Sequence, residues 1–406
     1  MRYPFQPKYL DALPEPIAEL FRGLEDRLLQ EICWRLVASD NLNEVTINDI
    51  RELRAHGIDL DEIKRAIAET TQTSLDHVDD LLNQVVARNQ QYYTGIATAA
   101  DITMPKRIVS ASDVAAIKKQ TKGELRNLTQ SLGFAIRRNG KVVEWLPPKK
   151  AYQWALDMAE TEVMSGTISY NQAIANATKK LAEGGLTTVR YENNGVVRYD
   201  QADVAARRAV MTGVNQTCQR YAEESMERLD TELVEVTAHA GARNTGSGPE
   251  NHESWQGKVY AYNKPGQPKN RKYPDLVEIT GYGSGPGLCG YNCRHHFYPY
   301  VDGVSEPAYT AKDLAELNHD PVKYQGRTYD HYQATQKQRE IERTIRKLKR
   351  IQAASEAIGT EEALRNATAA KSKIRILNRE YREFSELAGL PLQRDRMKVL
   401  NENTGS

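Results

Sequence analysis

Gly281-Tyr-Gly-Ser-Gly-Pro-Gly-Leu-Cys-Gly-Tyr-Asn-Cys-Arg-His-His-Phe-Tyr-Pro299 is the stretch on which the reading of this chain turns. Five glycines fall between Gly281 and Gly290, then Cys289 and Cys293 sit four apart, and His295 and His296 precede a run of aromatics. Glycine is favoured where backbone takes positive φ or approaches another group closely. The stretch therefore reads as a tightly folded loop, neither a helix nor a plain strand. It is expected at the centre of a small α+β region, with long helices on either side.

The composition agrees. The chain has 406 residues, a net charge of +1, 40% hydrophobic and 27% charged residues. Such a balance carries no global field that would select nucleic acid or membrane. Tyrosine (21) far outnumbers phenylalanine (5), which suits half-buried surfaces where a ring packs while its hydroxyl stays wet. Four cysteines in so long a chain do not make a disulfide framework, so a reducing compartment is expected. The N-terminus has no apolar signal core and no run approaches a membrane span, so the expectation is a soluble protein made in a cytoplasm.

Working outward, residues 1–13 read as an extended arm, because Pro4, Pro7 and Pro14 oppose a helix; with Tyr3, Phe5 and Tyr9 as adhesive side chains it would be either disordered or docked on a partner. Residues 14–133 read as helical. Leu20, Leu24, Leu28, Ile32 and Leu36 form one stripe, Asp59 opens a second helix through a capping box, and Ser74 caps a third. A further helix is expected over 112–132. Residues 134–328 read as a central α+β domain. Asn139-Gly140 and Asn194-Gly195 each sit between strand-like runs and predict two hairpins, with two helices between them, the second opened by Ser169 and ended by Gly184-Gly185. A long helix from about Asp200 to Asp230 follows, then strands at 233–237, 258–262 and 296–301. The core signature of this region is 230–300. Residues 329–400 read as a basic helical hairpin broken at Gly359-Thr360, with 16 Lys or Arg against nine Asp or Glu from His331 to Leu400, and 401–406 as a polar tail. The predicted class is thus α+β and mostly helical: long N- and C-terminal helices around a small central antiparallel-sheet domain with a Gly-rich Cys/His loop.

Three kinds of chemistry are open. Cys289, Cys293, His295 and His296 have the donor types of a zinc site, and His239 or His252 would supply ligands from a separate segment. No cofactor is expected overall, and zinc is the one these residues would suit. Against it, free cysteines in a tight loop usually serve as small buried apolar groups. His239, Arg243, His252, Arg294 and His295, with Glu253 and His296 beside them, would suit a nuclease-like or nucleotide-modifying centre, with histidine as acid and base and arginine on phosphate. No spacing matches a catalytic motif, and polar loop residues also satisfy buried backbone. The glycine run lacks Gly-Lys-Ser/Thr and a following helix, which argues against a phosphate loop. Arg343, Arg346, Lys347, Lys349 and Arg350 would contact nucleic acid through phosphates, unless they are a solvated helix face.

Taken together, 230–243 (Asp-Thr-Glu-Leu-Val-Glu-Val-Thr-Ala-His-Ala-Gly-Ala-Arg), Glu253-Ser-Trp-Gln-Gly-Lys-Val259 and the Gly281–Pro299 stretch resemble the tailed-phage minor capsid proteins, the second family so named. Arg207–Gln216, Tyr9–Pro16 and Ala334–Arg339 share the resemblance, which covers nearly the whole chain. It implies a virion protein of head morphogenesis, similar in role to the Mu-type head proteins with their Asn-Cys-Arg signature. It further implies association with the portal protein and the major capsid protein, with packaged double-stranded DNA nearby, and a place in the head interior or at the portal vertex. Assembly would occur in the host cytoplasm without a membrane, and the role would be structural, in DNA packaging or ejection. No catalytic residue comes with the resemblance.

Overall fold

A computed structural model describes residue 5 and residues 7–37, 45–56, 60–99, 101–166, 168–191, 196–263, 270–290, 293–318 and 320–399. Among them the order is α1 (Pro7–Ala12), α2 (Glu15–Leu36), α3 (Ile47–His56), α4 (Leu60–Ala99), α5 (Ala111–Gln130), β1 (Leu132–Arg138), β2 (Lys141–Leu146), α6 (Pro148–Met164), α7 (Tyr170–Gly184), β3 (Leu186–Tyr191), β4 (Val197–Gln201) and α8 (Ala202–Arg228). It continues with β5 (Leu233–Val236), α9 (His252–Trp255), β6 (Val259–Ala261), α10 (Leu276–Thr280), β7 (Phe297–Tyr300), α11 (Ala311–Glu316), β8 (Val322–Tyr324), β9 (Arg327–Tyr329), α12 (His331–Ile358) and α13 (Glu361–Leu387). The protein is a mostly helical α+β structure with small antiparallel sheets. None of the described helices is long and apolar enough to cross a membrane.

Packing divides the chain into two units built from alternating segments rather than from the contiguous stretches expected from sequence. One comprises residues 1–16, 75–125 and 207–336; the other comprises 17–74, 126–206 and 337–406. The two predicted hairpins and the segment carrying β5, β6 and β7 therefore fall in different units.

In the second of these, the sheet runs β2-β1-β3-β4, antiparallel throughout. Asn139 and Gly140 both have positive φ (51° and 77°), as the predicted two-residue hairpin demands. Residues 192–195, which include Asn194-Gly195, lie outside the described residues, but the strands they join are paired. Ser169 accepts the Gln172 N–H and caps α7. Leu24, Leu28, Ile32 and Leu36 of α2 are buried, as are Ile341, Ile345, Leu348 and Ile351 of α12. On α13, Ile374, Tyr381 and Phe384 are buried, while Leu364 and Leu387 remain exposed. Thr360 caps α13 by accepting the Ala363 N–H.

Burial in this unit brings charge with it. Glu25 on α2 is 4% exposed and accepts hydrogen bonds from Arg346 (2.6 Å) and Arg350 (2.7 Å) of α12 and from the Leu186 N–H (2.7 Å) opening β3. Arg350 also donates to the Ala182 carbonyl of α7. Burial pushes the Glu25 carboxyl up, but the adjacent Arg350 and Arg346 outweigh that and hold it down at about 2. Gly185 is tied to this arrangement twice over: its φ is +71°, and a Cβ there would lie 2.6 Å from Glu25 Oε1 and 2.7 Å from Arg350 Nη1.

The other unit holds a sheet of order β6-β5-β7 and the β8–β9 hairpin. All four residues of β5 are buried. Its core is aromatic: Tyr92 and Tyr93 of α4, Tyr221 of α8, Trp255, Tyr260, Phe297 and Tyr298 pack with Leu276, Leu288 and Cys293.

Three local expectations are corrected here. Pro7 begins α1 instead of preventing it, because the first helical residue has no intrahelical use for its N–H. Two of the arm's aromatic rings pack on the chain itself: Phe5 is 1% exposed, stacks with Tyr9 at 5.9 Å, and Arg88 lies over the Tyr9 ring at 4.1 Å. Tyr3, like Asp59, lies outside the described residues. Ser74 caps nothing, since its hydroxyl bonds back to the Thr70 carbonyl (2.7 Å) inside the single 40-residue helix α4.

Replacing Glu25 with alanine leaves two buried guanidinium groups without their carboxylate, and should lower unfolding free energy by about 3–5 kcal/mol. The exposed pair Arg365–Glu361 should contribute under about 1 kcal/mol on the same urea titration.

Candidate functional site

The Gly-rich loop is shaped by its own backbone. Asp275 caps α10 by accepting the Glu278 N–H at 3.0 Å, and beyond the helix the chain folds back so that the Leu288 N–H reaches the Thr280 carbonyl at 2.9 Å. Any Cβ at Gly287 would lie 2.3 Å from the Gly281 carbonyl oxygen, and any at Gly290 would lie 2.2 Å from that of Gly285. These glycines are therefore required by chain-on-chain approach. The fold-back buries Leu288 and Cys293 in the aromatic core and aims the Pro286 carbonyl at α9.

Four histidines gather where the loop re-enters the sheet. His295 is 1% exposed; its ring stacks on His239 (4.4 Å between centroids) and meets Trp255 (4.9 Å) and His252 (5.5 Å) edge-on. Gln256 holds this group together. Its Oε1 accepts the His239 backbone N–H at 3.0 Å and lies 3.0 Å from His295 Nε2. The backbone donor identifies that atom as the oxygen, so His295 Nε2 carries the proton and Nδ1 keeps its lone pair, 3.6 Å from Cys293 Sγ. By the same logic, His252 Nε2 donates to the Pro286 carbonyl at 2.8 Å. His239 Nδ1 donates to the Ala240 carbonyl at 2.9 Å. His296 is buried nearby, and its Nε2 has no hydrogen-bond partner.

Burial dominates the electrostatics. It pushes His239, His252 and His296 down to about 4, with Arg294 adding to the effect at His239 and Arg243 at His252. His295 is pushed down well below the usual imidazole value by burial and then by His239. All four are neutral near pH 7. Burial raises the Cys293 thiol to about 11 and Cys289 further.

The sequence candidates thus sort themselves. His239, His252 and His295 meet, as one catalytic set required. Arg243 and Arg294 act on them through charge, and Arg294 also lies 3.7 Å from Asp11. Of the expected metal set, Cys293 and His295 converge, and His252 joins them, with one donor atom of each within 4.8 Å of the others. Cys289 and His296 are not in that group; the Cys289 thiol points to the His295 carbonyl at 3.4 Å. Gln256 was missed. It stands in the quoted Glu-Ser-Trp-Gln-Gly run, but only folding reveals that its one oxygen serves two segments. Among the basic residues of α12, Arg346 and Arg350 are buried on Glu25 and so leave the nucleic-acid set, while Arg343 is exposed and Lys347 and Lys349 are half-buried.

The family model described as Phage minor capsid protein 2 matches residues 5–386. A protein of Lactococcus phage LL-H described as "Structural protein" is 27% identical over 214 residues, which are 52% of this chain and 52% of that protein. Another "Structural protein", of Lactococcus phage mv4, is 32% identical over 136 residues, 32% of this chain and 96% of that one. The chain thus spans about half the length of the LL-H relative. No solved structure matches it.

An unfolded chain takes up protons on its histidines near pH 6.5, whereas the buried ones resist until about 4. Lowering the pH therefore favours the unfolded state across that window. Tm should hold above about pH 7 and fall steadily between roughly pH 6.5 and 4. A Tm independent of pH there would contradict buried neutral imidazoles.

Proposed function

The chain belongs to the phage minor capsid protein 2 family, and from that premise we propose that it works in head morphogenesis at the portal vertex, by contact and not by catalysis. The observation that carries this reading is the extent of the family match, residues 5–386, which spans both structural units. The proposed partners are the portal protein and the major capsid protein, with packaged double-stranded DNA within reach.

Two features of the chain support contact as its mode of action. The C-terminal helices present Arg343, Lys371, Lys373, Arg375 and Arg379 as exposed cations, a surface suited to phosphates or acidic side chains. Apolar Leu364, Ile376 and Leu387 are exposed on α13 as well. Such groups fit the rim and core of a protein interface.

The nuclease-like alternative is less well supported. A general acid or base works best with a pKa near the working pH. Here burial has moved the three clustered histidines far below it, and one ring nitrogen of each is bonded, to Gln256, Pro286 and Ala240 respectively for His295, His252 and His239.

Co-expression with portal and major capsid protein tests the reading. The chain should co-purify with portal rings and appear in purified heads in few copies per particle. His239→Ala should change Tm without removing any DNA-cleaving activity. Absence from portal rings and heads, or DNA cleavage lost in His239→Ala while heads still assemble, would overturn it.

A further inference from the structure

We propose that His252, Cys293 and His295 form a binding site for a zinc-class divalent cation, which fastens α9 to the segment entering β7. Nitrogen and thiolate donors on a tetrahedral zinc, at about 2.0–2.1 Å and 2.3 Å, stand about 3.6 Å apart. His295 Nδ1 and Cys293 Sγ are 3.6 Å apart. The third donor, from His252, lies within 4.8 Å of both, so a metal need draw it in by at most about 1.5 Å to reach ligand spacing.

The surroundings are those of metal ligands. A ligating histidine commonly donates its other ring N–H to a carbonyl, which fixes the tautomer. His295 does so to Gln256 Oε1 (3.0 Å) and His252 to the Pro286 carbonyl (2.8 Å). Both rings are therefore held with the unprotonated nitrogen at Nδ1. Burial keeps them neutral, the state that binds metal. On binding, the Cys293 Sγ–H bond breaks, its proton leaves to solvent, and the sulfur lone pair goes to the cation. The nearby Arg243 and Arg294 favour that thiolate and oppose the cation, and the thiolate cancels one of the metal's two charges. Three protein donors leave the fourth position to water.

The ligand set differs from the one the linear spacing of Cys289, Cys293, His295 and His296 suggests. That difference makes it testable. The full chain, purified under reducing conditions without chelator, should carry about one zinc per molecule by elemental analysis. After metal removal, added Co²⁺ should give the visible bands of a tetrahedral site and a thiolate-to-cobalt charge-transfer band. Cys293→Ser should abolish that band and lower bound metal at least tenfold. Cys289→Ser and His296→Gln should keep both. Circular dichroism identifies any variant that has not folded, and His252→Gln supplies a second probe should Cys293→Ser fail. Less than a tenth of an equivalent of zinc, with no cobalt spectrum from a folded wild-type chain, would overturn the site. Loss of metal in Cys289→Ser but not in Cys293→Ser or His252→Gln would overturn the ligand assignment.

Discussion

A carboxylate buried between two guanidinium groups is the constraint on which one half of this molecule depends. Glu25 lies inside its unit with Arg346 and Arg350, and its remaining lone-pair capacity is met by the Leu186 N–H. Those partners sit 161 to 325 residues away along the chain. The same few atoms thereby set where α2, α12 and the start of β3 lie with respect to each other, and Gly185 is the residue that leaves room for them. Ion pairs of this kind give little net stability over a well-packed apolar core, but an incomplete one is costly. The network acts as a condition that all its members be present together.

The other unit solves a similar problem with neutral groups. Its polar interior is a cluster of imidazoles whose ring nitrogens face carbonyl oxygens and one thiol, with the Trp255 ring against His252 and His295. A neutral imidazole is amphoteric in hydrogen bonding, so its tautomer is set by its neighbours. Here backbone carbonyls and a single glutamine oxygen decide it. The glycine loop brings one of those carbonyls, that of Pro286, to His252, and it folds so tightly on itself that side chains are excluded at Gly287 and Gly290.

This division of labour suits a virion structural protein. The interior chemistry is bound up in holding segments together, while α12 and α13 carry exposed cations and apolar side chains at the surface. Of the N-terminal arm, Phe5 belongs with the interior. Phe5, Tyr9 and Arg88 pack together, and Arg207 bonds Asp11, so Phe5 and Tyr9 serve the chain's own fold.

What the sequence determined by itself was local. The apolar stripes of α2 and α12, the Asn139-Gly140 turn, the Ser169 and Thr360 caps and the mostly helical class follow from periodicity and short-range hydrogen bonding, which neighbouring residues settle among themselves. The tight backbone of the Gly-rich stretch was legible as well, since glycines so closely spaced mark close chain approach, and His239, His252 and His295, singled out by residue type, do meet. What only the tertiary structure decided was long-range. Arg346 and Arg350 look like a basic surface until Glu25 is folded against them. Ser74 looks like a cap until α4 runs through it. Gln256 looks like filler until one oxygen bridges two segments, and the third donor beside Cys293 and His295 proves to be His252, 41 residues before Cys293, rather than the adjacent His296. In each case the deciding partner lies far along the chain or in the packing around it, and the energy that selects it is burial, which no local pattern records.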